Sequence, residues 1–217
     1  MPTPSPTPAP VPVSARDRLL QAAGELFTSR PYDDIAVADI TGRAGASVGS
    51  LYYHFGGKAE IYNALYQAYL DRQEQRIRQT LRSARELGVA DPRRLFLAGT
   101  RAYLTGMWHD RQVSRLFVER PPSARGGDGG NWVARNARLL AGSAPAPLLT
   151  QVIAAAVAGA MGAWGRELAS IDDDDQAREF IEQALLVVAR MIGIGDDTPG
   201  PATGTAVERL DALDITS

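Results

Sequence analysis

The 217-residue chain contains no cysteine. That one absence removes structural disulfides, thiolate nucleophiles and cysteine-ligated zinc. Histidine is nearly missing too: with only His54 and His109, a metal site would have to rest on scattered carboxylates, and we expect none. Nor is there a surplus of one charge, since 23 Lys and Arg face 25 Asp and Glu for a net −2. This argues against wholesale, nonspecific attraction to nucleic acid, but not against a local basic surface, which depends on where the cations sit. No apolar run approaches the roughly twenty residues that span a bilayer, and residues 1–13 alternate proline with small residues in place of a basic-then-apolar leader. We therefore expect a soluble, cytoplasmic protein without membrane contact. Paired carboxylates, a Ser–His pair and a phosphate loop are also lacking; the glycines at 126, 127, 129 and 130 have no Lys-Ser after them and no strand before them. The acidic run Asp172 to Asp175 lacks the alternate spacing of a calcium loop, and a helix dipole explains it. The sequence predicts neither an enzyme nor a cofactor.

What remains is helical in pattern. Strand-like alternation is absent, so the expected fold class is all-α. Ser14 with Asp17 reads as a helix start, followed by an apolar stripe of Leu19, Ala23, Leu26 and Phe27 that Pro31 ends. Val37 and Ile40 lie on a short second helix that Gly45 stops, and Ser47 caps a third. A long helix runs from Lys58 to about Leu87 with Glu74 and Arg78 as an i,i+4 pair, and Asp91-Pro92 opens the next. Further helical stretches fall at about Asp110 to Glu119, Asn131 to Ala141, Pro147 to Ser170 and Asp173 to Ile192. Residues 1–13 read as a disordered proline-rich tail and Arg120 to Gly130 as a mobile loop. Residues 196–217 read as a mostly flexible tail in which Val207, Leu210 and Leu213 could form a short helix.

Function concentrates in Val37 to Lys58, VADITGRAGASVGSLYYHFGGK. Two short helices joined by a tight glycine-containing turn define a helix-turn-helix, whose second helix is short enough to enter a DNA major groove. Helical spacing puts Val48, Leu51 and Phe55 on an inward face against Ile40 and Leu26, leaving Gly49, Ser50, Tyr53 and His54 on or near outward faces. Ser serves base edges or phosphates, Tyr offers a ring to a thymine methyl and a hydroxyl to phosphate, and Gly permits close approach. Lys58 begins the next helix, where free N–H groups favour a phosphate. From Ile40 to Lys58 there is no acidic residue.

The run from Arg16 to about Leu65 resembles the DNA-binding head of the TetR family of regulators, and AGASVGSLYYHFGGKAEIYNAL resembles that family's turn and recognition helix. The resemblance implies Ser47, Val48, Gly49, Ser50 and Tyr53 at or near base edges, with Tyr52, His54 and Lys58 on phosphates. Tyr52, at a helix junction, has packing as an equal alternative. Two positions depart from the family pattern: Ala36 stands where Ser or Thr commonly caps the second helix, and Pro31 where Gly precedes the aromatic that corresponds to Tyr32. The expected layout is a head over 14–65, its linking helix continuing to about 87, and a helical body over 66–195. The Ala- and Gly-rich helix at about 147–170 and the apolar helix at 173–192 are candidates for a four-helix homodimer interface, as the resemblance also implies. Tyr103, Met107, Trp108, Phe117, Trp132, Met161 and Trp164 either line a pocket for an apolar or flat small-molecule effector or are ordinary core. The function these readings favour is a dimeric repressor that binds a palindromic double-stranded DNA operator and is released by a small molecule. The alternative is a helical interaction module that has lost DNA binding.

Overall fold

The computed structural model describes residues 14–122, 140 and 148–194, and among them all regular structure is helical. The expected tails at 1–13 and 196–217, the helix at 131–141 apart from Leu140, and most of the Arg120–Gly130 loop lie outside the described residues. The chain divides into two compact units, residues 1–67 and 68–217.

The first unit is a three-helix head closed by the start of a fourth helix. Helix α1 spans Ala15–Ser29, capped by Ser14, whose Oγ accepts from Asp17 N–H at 3.1 Å. Leu19, Ala23 and Phe27 give it a buried face. A 3-10 turn, Tyr32–Asp34, follows Pro31 and leads to α2, Val37–Ala44. Ala36 offers no side-chain acceptor at the α2 N-cap, and the Asp39 carboxylate supplies half a capping box by accepting from Ala36 N–H at 2.8 Å. At the other end Gly45 takes φ +58°, the left-handed conformation in which a Cβ would be strained. Ala46 N–H then donates to Thr41 O at 3.0 Å, closing the helix tightly enough that α3, Val48–Phe55, starts within three residues. Ser47 caps α3 by accepting from Ser50 N–H at 3.1 Å. Ile40, Leu51 and Ile61, all 0% exposed, form the centre on which the three helices meet.

One inward residue needs correction. Leu51 is the buried residue of α3, but Val48 is 47% exposed and Phe55 half-buried. The reason is directional: side chains on a helix tilt toward its N-terminus, so Val48, in the first position, projects past the helix start with nothing to pack on.

Helix α4, Lys58–Glu86, contributes its first turns to the head and the remainder to the second unit. Asp91 and Pro92 start α5, Pro92–His109, in N-cap and N1 order, with Asp91 accepting from Arg93 N–H at 3.0 Å. Asp110 alone separates α5 from α6, Arg111–Glu119. Then come α7, Leu148–Ser170, and α8, Asp174–Met191. The aspartate run is accounted for locally. Asp173 caps α8 by accepting from Gln176 N–H at 2.8 Å, Asp175 pairs with Arg178 at 2.6 Å, and Asp172 pairs with Arg115 at 2.5 Å. The Arg115 hydrogen bond holds the Asp172 carboxyl below its ordinary range.

Helix α7 revises one expectation. It is 23 residues long and holds an 18-residue stretch of mean hydropathy 1.5, so by length and composition it would pass for a membrane span. The sequence reading missed this because Ala and Gly, individually only mildly apolar, add up over so many positions. Ala154, Val157, Met161, Gly165 and Leu168 bury one side of α7 against the neighbouring helices. Only 22% of its apolar window is covered, however, so a second apolar side stays open.

Candidate DNA interface and the helical body

Helix α3 presents a surface of unusual content for solvent. Tyr53 is 85% exposed and Tyr52 54%, beside exposed Ser47, Val48 and Gly49 and half-buried Ser50 and His54. Two large aromatics this open on one helix make α3 a candidate contact surface. The Tyr53 and His54 rings meet edge to face with centroids 5.0 Å apart, which limits how Tyr53 can swing. Gly49 has no side chain between its backbone and an incoming partner, and Ser47, already accepting from Ser50, keeps its hydroxyl hydrogen to donate outward. All eight expected contact residues thus fall on α3 or at the two junctions flanking it. Tyr52 stands outside the core instead of packing into it.

The charges around this face are arranged in ways the sequence does not reveal. Arg43 reaches back across the head to Glu25 at 2.5 Å. The hydrogen bond from Arg43, with a second from Gln21, holds the Glu25 carboxyl below the ordinary range. Lys58 Nζ lies 4.2 Å from the centroid of the Tyr32 ring, which is stacked on Phe27 and edge-on to Tyr62. Arg16 covers the Phe55 ring at 5.2 Å, and Arg18 donates to the α2 carbonyl of Ala44 at 3.2 Å. The cations near α3 are thus held on two rings, one carbonyl and one carboxylate. Tyr32 as the seat of Lys58 was the functional detail missed; its only sequence signal is an aromatic just after Pro31.

In the second unit, the described residues expected to line a ligand pocket are buried or half-buried. Trp108 belongs to an apolar cluster with Leu104, Leu168 and Ile181, and Met161 to an adjoining one with Phe96, Val157 and Val188. Half-buried Tyr103 and Trp164 touch both clusters. Met107 lies against Gly165, and Phe117 against the Tyr69 ring at 5.5 Å. Trp132 lies outside the described residues. Polar groups are set into this core: Tyr69 Oη and Ser114 Oγ are 3.0 Å apart, and Ser114 donates to Met107 O at 3.2 Å. Where α5 meets α6, Asp110 accepts from Arg76 at 2.5 Å and from Gln73 at 3.2 Å, tying α4 to that junction. Among the described residues no group of three His, Asp or Glu is placed to hold a metal ion.

Residues 19–65 match the family described as bacterial regulatory proteins, tetR family. The HTH-type transcriptional activator FasR of Mycolicibacterium smegmatis is 36% identical over 104 residues, which cover 48% of this chain and 45% of that protein. The HTH-type transcriptional repressor KstR2 of the same species is 38% identical over 71 residues, 33% of this chain and 35% of that one. The chain therefore spans less than half the length of these curated relatives. In the solved structure of a transcriptional regulator from Rhodococcus sp. Rha1 the likeness extends through the body, with a TM-score of 0.64 at 20% identity over 86% of this chain and 100% of that one. At that identity it shows a shared fold.

Proposed function

We propose that this chain, whose head belongs to the TetR family of bacterial regulators, is a cytoplasmic transcriptional repressor that binds a palindromic DNA operator as a homodimer and leaves it when a small molecule occupies the body. The observation that carries the DNA reading is α3 itself: an eight-residue helix, capped at both ends, with Tyr52 and Tyr53 outward and Leu51 as its anchor. Such a helix fits the major groove, where Tyr53 and the Ser47–Ser50 turn meet base edges and Tyr52, His54 and Lys58 meet phosphates. Arg43 and Lys58 exchange their present partners for phosphate oxygens at small cost, because both sit at the surface. The family acts by binding DNA and not by catalysis, and relatives include both an activator and a repressor. The sign of regulation then follows from where the operator lies relative to the promoter.

Support for a homodimer comes from the body. Leu148, Leu149 and Val152 at the start of α7 are 77%, 70% and 57% exposed, and Leu186 and Val187 near the end of α8 are 51% and 44% exposed. Val157 of α7 and Val188 of α8 share a core cluster, so these exposed residues lie toward one end of the helix pair. Water contact over such a patch is unfavourable by about 25 cal/mol per Å², and a second copy would cover it as a four-helix bundle. The effector reading rests on Tyr103 and Trp164, half-buried between the two apolar clusters, and on the buried Tyr69–Ser114 pair beside Met107 and Phe117. An apolar or aromatic molecule with one hydrogen-bonding group suits that environment. Binding-site selection from a randomised duplex library tests the central reading. The enriched sequence should be an inverted repeat with half-site centres about 34–36 Å apart or a multiple of it; recovery of no shared sequence would sink it.

A further inference from the structure

An open groove of about 380 Å³ follows the last turns of α4, lined by Arg78, Leu81, Arg82, Arg85 and Glu86. Neither the DNA reading nor the dimer reading uses it. Arg78, Arg82 and Arg85 stand at i, i+4 and i+7 and so form one basic stripe, with Leu81 as an apolar strip beside it. Arg78 pairs with Glu74 at 2.7 Å, whereas Arg82 and Arg85 have no ion-pair partner among the described residues. Two unneutralised guanidiniums next to the half-exposed Leu81 call for an occupant that is acidic with some apolar surface.

The chain itself carries such a segment. Glu208, Asp211 and Asp214 recur every third residue, Val207, Leu210 and Leu213 recur one position earlier, and Arg209 falls on the opposite side. Read at helical spacing, this gives an acidic stripe and an apolar stripe side by side, the complement of the α4 pattern. Its tether is well placed. Gly193 O accepts from Arg93 at 3.4 Å in the first turn of α5, and the α4–α5 turn folds back there, with Val89 N–H donating to Ala84 O at 3.0 Å. The chain thus leaves Ile194 at the first turn of α5, which follows α4 after five residues. The twelve residues 195–206 reach about 40 Å when extended, whereas the groove from residue 78 to 86 is about 12 Å long. The open apolar patch of α7 is a poor competitor for this segment, because no cation occurs between Leu148 and Gly165.

We infer that residues 207–214 dock on the α4 groove of their own chain, with Glu208, Asp211 and Asp214 facing Arg78, Arg82 and Arg85 and the apolar stripe covering Leu81. Single exposed ion pairs are weak. Here three act together with apolar cover, and a short tether gives an effective concentration of about millimolar. The inference is independent of the DNA-binding reading.

Amide hydrogen exchange of residues 206–214 in the full-length protein tests it. Exchange there should be about tenfold slower in the wild type than in Arg82→Glu/Arg85→Glu. Adding Asp211→Arg/Asp214→Arg to that variant should restore the protection, which a merely structural effect of the α4 substitutions would not allow. Fast exchange in the wild type overturns the inference, as does protection that survives the α4 charge reversal. Protection that disappears on dilution places the segment on a second copy and overturns docking within one chain.

Discussion

Gly106, in the last turn of α5, faces Gln73 and Arg76 of α4, and replacing it with alanine probes the packing of the body. A Cβ there would land inside contact distance of Gln73 Oε1, 3.2 Å from Gln73 Cδ and 3.3 Å from Arg76 Cδ. Gln73 is 3% exposed and its amide nitrogen is committed to Asp110 at 3.2 Å, so the side chain cannot swing aside without breaking that bond. Overpacking of this kind costs about 1–3 kcal/mol. Stranding the buried amide adds about 1–3 kcal/mol more. The better helix propensity of alanine returns about 1 kcal/mol. The net is a destabilisation of about 1–5 kcal/mol, and its centre near about 3 kcal/mol lowers Tm by roughly 6–12 °C for a chain of this size. Gly165→Ala is the internal control: its Cβ would meet only the Met107 thioether, 2.8 Å from Sδ, and that chain end can move. Thermal unfolding followed by circular dichroism at one fixed protomer concentration should therefore rank wild type and Gly165→Ala close together and Gly106→Ala well below. A Gly106→Ala variant as stable as the wild type would refute the claim that Gln73 and Asp110 hold α4 against the α5–α6 junction.

Ala36→Ser should raise the stability of the head by about 1 kcal/mol, because the hydroxyl would complete the capping box that Asp39 now half supplies; a thermal melt reads it directly. Glu25 should titrate below the ordinary glutamate range in a carbon-detected pH series and move up toward that range in Arg43→Ala, with the Gln21 hydrogen bond still holding it down. Since its folded pKa is depressed, the pair's stabilising effect is present above the unfolded value and fades as pH falls through the folded one. Leu149→Glu/Val152→Glu should leave helix content unchanged while shifting sedimentation from dimer to monomer, because both side chains are open in the isolated protomer.

The head was largely legible because each of its boundaries is set by local chemistry. Ser14, Pro31, Gly45 and Ser47 are cap and breaker residues whose effect does not depend on the rest of the chain. Periodicity likewise located Leu19, Ile40 and Leu51. Val48 escaped because burial at the first position of a short helix depends on what lies beyond its end, not on its phase. The Arg43–Glu25 and Lys58–Tyr32 contacts were illegible because they join residues 18 and 26 positions apart and depend on how the helices cross. In the body the same limit applies more strongly. Composition marked α7 as buried on several sides, yet the packing covers one side and leaves another open. Asp110, which looked like an ordinary helix start, proves to be the acceptor for both Gln73 and Arg76.

The central claim, that α3 reads DNA, is tested most directly by fluorescence anisotropy with the selected duplex at several salt concentrations. Wild type is compared with Tyr53→Ala and Lys58→Ala. Tyr53 is 85% exposed, so its loss leaves the fold intact. It should relax preference for the selected sequence over random DNA by about tenfold, whereas Lys58→Ala should weaken all sequences alike and reduce the salt slope by about one. Wild-type binding no tighter to the selected duplex than to random DNA, or a Tyr53→Ala variant that retains the full preference, would contradict the account.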